Sequence, residues 1–140
     1  FRKTHHPDAW KVDGERLNDA RVATYGCPHC TMRCGITIRD DKGREAEMDY
    51  ENIALLGPNL EIFDLQQVGA LNYLCDDYGV DTMSGGCAMS FYADAIDRGA
   101  VAGDLRFGDA EKFKALLGAI VEIAFQASPL LLGRGHDPLS

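Results

Sequence analysis

No stretch of this chain gathers basic residues. Its 14 Lys+Arg stand against 22 Asp+Glu, a formal net charge of −8. Nucleic-acid binding needs a cationic face, so that function class is excluded. Long hydrophobic runs are missing as well. The longest nearly apolar stretch, "ALLGAIVEIAF" at 115–125, is too short to span a bilayer and contains Glu122. No charged-then-apolar signal segment opens the sequence, so a cytoplasmic protein with no membrane contact is the expectation. Internal repeats and low-complexity tracts are absent too. Cysteine is scarce and odd in number: five residues, three of them within eight positions. That distribution argues against a secreted disulfide scaffold.

The 140 residues are 46% hydrophobic, enough for a real core, and suit one domain or one piece of a larger protein. The first residue is Phe1, and nothing in "FRKTHHPDAWKVDGERLNDA" initiates a fold. With its polar His5-His6-Pro7, this stretch reads as a lead-in linker or wrapped strand over 1–20. At the other end, "SPLLLGRGHDPLS" does not close a helix. The chain reads as an excerpt of a larger, multidomain protein.

Between the ends the pattern is mainly α. "CGITIRDDKGREAEMDY" alternates around Asp40-Asp41-Lys42-Gly43, which predicts a short β-hairpin after the cysteine loop. The stretch "ENIALLGPNLEIFD" ends in loop chemistry at Gly57-Pro58-Asn59. From Asp64 the period turns helical, with Leu65, Val68, Leu71 and Cys75 on one face, Asp64 as N-cap and Gly79 as the stop. Thr82 or Ser84 is placed to cap a second helix ending before Gly99. Asp109 is placed to cap a third, whose stripe is Phe113, Leu116, Leu117, Ile120, Val121 and Ala124.

Three places carry chemistry. Cys27, Cys30 and Cys34 form C-x2-C-x3-C within "YGCPHCTMRCG". Soft thiolates at that spacing bind zinc or an iron–sulfur cluster, and spacing alone leaves both open. A fourth ligand is required. Cys75 and Cys87 fall on apolar helical stripes and read as small hydrophobes; His29 reads as pointing away from the metal. In "DDYGVD", 76–81, carboxylates meet a helix stop, which by composition alone is an ordinary solvated corner. Glu51 opens an apolar stretch, where a half-buried carboxylate would have a raised pKa suited to proton transfer; an edge residue facing water is the plainer alternative.

Taken together, "YGCPHCTMRCG", "YENIALLGPN", "LCDDYGVDTMSGG", "SFYADAIDRG" and "DLRFGDAEKF" resemble the tungsten- and molybdenum-containing aldehyde:ferredoxin oxidoreductases over roughly 21–125. The resemblance implies a tungsten or molybdenum bis-pterin beside a 4Fe-4S cluster, oxidation of an aldehyde to a carboxylic acid, and ferredoxin or a dedicated electron-transfer subunit as acceptor. It implies Cys27, Cys30 and Cys34 as three cluster ligands, the fourth lying in a second motif further downstream than this chain reaches. It implies that Asp76, Gly79 and Asp81 belong to a pterin-binding motif, with Asn59 touching the cofactor, and that Glu51 assists water attack or proton transfer. Homodimers are common among such proteins. Val80 replaces the usual Leu, and "FQASPLLLGRGHDPLS" departs from the pattern, which divides the chain into the 1–20 lead-in, a helical domain at 21–126 and a divergent or artefactual tail at 127–140. Two other readings stand beside this one. The same cofactors can run another reaction, such as reduction of an aromatic acyl-CoA thioester, or the cysteines can hold zinc in a non-catalytic interaction module.

Overall fold

In the computed structural model, residues 6–131 are described, without the side chains of 127–131. Two layers face each other: a three-stranded antiparallel sheet in the order β1-β2-β3, and a bundle of helices. The strands are β1 (Arg21–Tyr25), β2 (Gly35–Arg39) and β3 (Glu45–Met48). The expected hairpin is β2–β3, with Ile36 opposite Met48 and Ile38 opposite Ala46. Its turn is held by Asp40, whose side chain is wholly buried against half-exposed Arg44 at 2.7 Å. Burial alone would raise the Asp40 pKa. The Arg44 guanidinium and the amides of Arg44 and Lys42 outweigh it, leaving the carboxyl below its ordinary range.

Two expectations are corrected here. A strand, β1, precedes the cysteines, so the cysteine loop is itself the β1–β2 connection. The lead-in is helical rather than extended: a 3-10 turn at Ala9–Val12 is followed by α1 (Gly14–Asp19). Asp13 caps α1 by accepting from the Arg16 amide at 3.0 Å, and Val12 and Leu17 are buried. Polar flanks concealed these two anchors. His6 stacks on Phe63; His5 lies outside the described residues.

The helices follow their caps. Asp49 opens α2 (Tyr50–Leu56) and accepts from Asn52. Asp64 opens α3 (Leu65–Tyr78) and accepts from Gln66 and Gln67, while Gly79 ends it at φ 67°, the left-handed conformation glycine adopts without cost. Asp81, rather than Thr82 or Ser84, opens α4 (Thr82–Asp97), because its carboxylate accepts the Ser84 amide at 2.7 Å. Asp109 accepts from Lys112 at the start of α5 (Ala110–Leu131). On α5, Phe113 and Leu117 are buried, Leu116, Ile120 and Val121 half-buried, and Ala124 exposed, so the expected stripe fades towards its end. The expected tail lies outside the described residues except for the backbone of 127–131, which continues α5.

The core joins Ile38, Ala46 and Met48 from the sheet to Val68, Leu71 and Cys75 of α3, then to Met89, Phe113 and Leu117. Gly86 sets the distance between α4 and α2: a Cβ there would lie 2.7 Å from the Leu55 carbonyl oxygen and 3.0 Å from the Leu55 Cβ. Backbone must move to admit it. Gly86→Ala is therefore expected to destabilise the protein by about 1–3 kcal/mol. Gly85→Ala meets only the Val80 side chain, at 3.3 Å, and is expected to cost less. Chemical denaturation of both variants checks this; equal stabilities would contradict the close α2–α4 approach.

Candidate cofactor-binding site

Three thiols stand at the open end of the sheet. Cys27, Cys30 and Cys34 are all free and exposed. The Cys30 amide donates to the Cys27 carbonyl at 2.9 Å, which folds the first half of the loop into a turn. His29 and Arg33 adopt left-handed backbone, at φ 64° and 46°, which is uncommon outside glycine. The base is closed by Tyr25 opposite Gly35. The Tyr25 ring occupies the place where a Cβ on residue 35 would stand, so any side chain there must displace the ring.

The donor set suits an iron–sulfur cluster: soft, accessible thiols from one loop. Among the described residues no three His, Cys, Asp or Glu side chains are arranged to hold a metal ion. A cluster makes a different demand, since each thiolate binds a separate iron.

The other cysteines differ from each other. Cys75 is buried in the core, and burial, with Asp76 and Asp81 adding to it, pushes its thiol up to about 11. A thiol so hard to ionise is a poor metal ligand. Cys87 is exposed, contrary to the apolar-stripe expectation. The buried face of α4 runs through Gly85, Gly86, Met89, Ala93 and Ile96, and Cys87 lies off it.

The residues expected to meet a pterin, Asp76, Gly79 and Asp81, occupy the α3–α4 corner, with different duties. Gly79 supplies the left-handed turn, its amide donating to the Asp76 carbonyl at 3.1 Å. Asp81 is engaged as the α4 cap, and the Ser84 hydrogen bonds hold its pKa down. Asp76 is less committed. Its carboxylate accepts only a long 3.3 Å contact from Asn72, and burial of the group, reinforced by the Asp49 carboxylate, raises its pKa. Asn72 is fully buried and also donates to the Glu47 carbonyl at 2.6 Å, while its Oδ1 has no hydrogen-bond partner among the described residues. The first amides of α4 also point outward at this corner, as at any helix start. Of the two carboxylates expected to meet a ligand here, Asp76 is the less engaged within the fold.

Glu51 is exposed in the first turn of α2, not half-buried. It lies two residues after Asp49. Asn59 has a structural task, donating to the Leu55 carbonyl at 3.3 Å and the Gly86 carbonyl at 3.1 Å, which ties α2 to α4. Cys34 and Asn59 share the wall of a cavity of about 990 Å³ whose apolar side includes Leu17, Ile53 and Phe91; Glu51, Asp76, Gly79 and Asp81 do not line it.

Residues the sequence reading passed over bring the pieces together. Tyr25 is half-buried, and burial first, then the charges of Asp49, Glu47, Asp76 and Cys34, push its phenol up to about 12. Asn52 donates to the Glu47 carbonyl at 3.2 Å and accepts from the Thr82 hydroxyl at 3.0 Å, linking β3, α2 and α4. Asp49 was findable as a capping residue before "YEN". Tyr25 and Asn72 gave no comparable signal.

Comparison with known proteins finds relatives over most of the chain. A family profile described as "Aldehyde ferredoxin oxidoreductase, domains 2 & 3" matches residues 1–126. The "Aliphatic sulfonate oxidoreductase, WOR-like subunit" of Pyrococcus furiosus is 35% identical over 107 residues, 71% of this chain and 17% of that protein. The "Tungsten-containing aldehyde ferredoxin oxidoreductase" of the same organism is 31% identical over 116 residues, 81% of this chain and 19% of its own length. Its counterpart in Thermococcus kodakarensis is 31% identical over 106 residues, 71% and 17% respectively. The chain thus spans less than a fifth of the length of these relatives.

The Asp76 environment has a pH consequence. A carboxyl with a raised folded-state pKa holds its proton more tightly folded than unfolded, so its favourable share is present at low pH and is lost as pH rises through the raised pKa. Asp76→Asn removes the ionisation. The variant is expected to melt above the wild type at neutral pH and alongside it below the carboxylate range. Thermal melts at the two pH values check this; a lower melting temperature at neutral pH would contradict the crowding of Asp76 by Asp49.

Proposed function

Since the chain belongs to the aldehyde ferredoxin oxidoreductase family, we propose that it is the cluster- and pterin-binding part of a tungsten- or molybdenum-pterin oxidoreductase that converts aldehydes to carboxylic acids in the cytoplasm. The observation carrying this reading is the loop of three exposed cysteines, closed at its base by Tyr25 opposite Gly35.

In this reading Cys27, Cys30 and Cys34 hold three irons of a 4Fe-4S cluster, and a fourth cysteine comes from outside this chain's residues. Asp76 meets the pterin, Gly79 shapes the corner, and Asp81 holds α4 in place so that its first amides face the same ligand. Asn59 keeps α2 and α4 at a fixed separation near that ligand. The metal–pterin group supplies the oxygen- and electron-accepting centre when bound. An aldehyde and water become a carboxylic acid with release of two electrons and two protons. Glu51, exposed at the start of α2, takes a proton from the attacking water. A cluster held by Cys27, Cys30 and Cys34 would supply one-electron transfer towards ferredoxin or a dedicated electron-transfer subunit. The functional unit is 21–126, supported on the helices of 9–19, and assembles as a homodimer. No helix among the described residues is long and apolar enough to cross a membrane.

A second reading keeps the cofactors and changes the substrate. It is favoured by the match to a subunit named for aliphatic sulfonates, the higher in identity of the two Pyrococcus furiosus proteins. Assay of the complete enzyme with aldehydes and with aliphatic sulfonates, both with a low-potential acceptor dye, separates the two.

Cys30→Ser is expected to remove most of the iron and the visible absorption of the cluster, and with them electron transfer. Unchanged iron content would count against the cluster assignment. Glu51→Gln is expected to keep the metals and to lower kcat by about 10²–10⁴-fold, the usual worth of a positioned acid or base. A wild-type kcat in that variant would remove Glu51 from the chemistry.

A further inference from the structure

Arg33 is the only Lys or Arg between Gly26 and Cys34, and it is tied down at both ends. Its backbone is left-handed at φ 46°. It packs so closely on Gly26 that a Cβ there would lie 3.0 Å from the Arg33 Cα and 3.1 Å from its Cγ. Its guanidinium reaches back to β1, donating from Nη2 to the Thr24 carbonyl at 2.9 Å. A long, exposed side chain normally wanders; this one is fixed over the stem of the cysteine loop, immediately before Cys34. Guanidinium stays cationic at every working pH, so the charge it places there is permanent.

We propose that Arg33 is a fixed positive charge beside the cluster held by Cys27, Cys30 and Cys34, and that it raises the cluster's reduction potential. The inference rests on the cluster reading above. Reduction adds one electron, and so one negative charge, to a cluster already ringed by thiolates. A neighbouring cation stabilises the reduced state more than the oxidised one. In a chain with a net charge of −8, the surrounding charge works the other way. Arg33 offsets it locally.

The test uses the complete enzyme purified without oxygen, with dithionite as the electron source and the midpoint read by EPR. Arg33→Asn removes the charge while suiting the left-handed backbone, which Asn tolerates. Arg33→Gln serves as a second neutral variant if Asn fails to retain iron. Arg33→Lys keeps the charge. The neutral variants are expected to show full iron content and a midpoint shifted to lower potential. The Lys variant is expected to stay near wild type. The shift should shrink in high salt, which screens an exposed charge. A neutral variant with intact cluster and unchanged midpoint would overturn the proposal and leave Arg33 as a loop clamp alone. A wild-type enzyme without iron would overturn the cluster reading itself, and this inference with it.

Discussion

The Tyr25 ring lies where a side chain on residue 35 would stand. Much of the site depends on that one exclusion. It makes residue 35 a glycine and lets β1 and β2 close directly beneath the cysteines. Burial first, then the charges of Asp49, Glu47 and Asp76, push the phenol up to about 12. A larger residue at 35 would have to push the ring out of that place. Gly26 repeats the device one step further on, where Arg33 packs across it.

The same economy appears in how the layers are joined. Exposed to half-buried polar links join the elements around the corner: the Glu47 carbonyl accepts from both Asn52 and Asn72, and Asn52 accepts from Thr82. Each such bond is worth about 1 kcal/mol net, but leaving a buried partner unmatched costs more. The network therefore specifies position more than it adds stability. Away from the site, Asp40 with Arg44, and Lys114 with Asp41, Gln67 and Glu111, fasten the hairpin turn and the helices behind it.

How much of this was legible depended on where burial left a pattern. The helices α3, α4 and α5 announced themselves by period and by Asp or Gly at their ends, and the β2–β3 turn by Asp and Gly. β1 did not, because four of its five residues are exposed and no alternation marks them. α1 is six residues long and buries Leu17 alone, too little for a helical stripe. Cys87 misled because an apolar neighbourhood in sequence is not a buried face. The cysteine spacing identified the loop but not its stem, since the closure through Tyr25 and Gly35 is a tertiary contact between residues ten apart. Asn59 was placed near a cofactor by motif; the structure adds that it holds α2 to α4.

The central claim is that the exposed thiols of this loop carry an iron–sulfur cluster beside a metal–pterin site. Elemental analysis of the complete protein, purified without oxygen, tests it most directly, for iron, tungsten, molybdenum and zinc together. The account predicts about four irons per chain, as a cuboidal cluster requires, with one tungsten or molybdenum. Zinc alone, without iron after anaerobic handling, would contradict it and leave the three cysteines as a structural metal site.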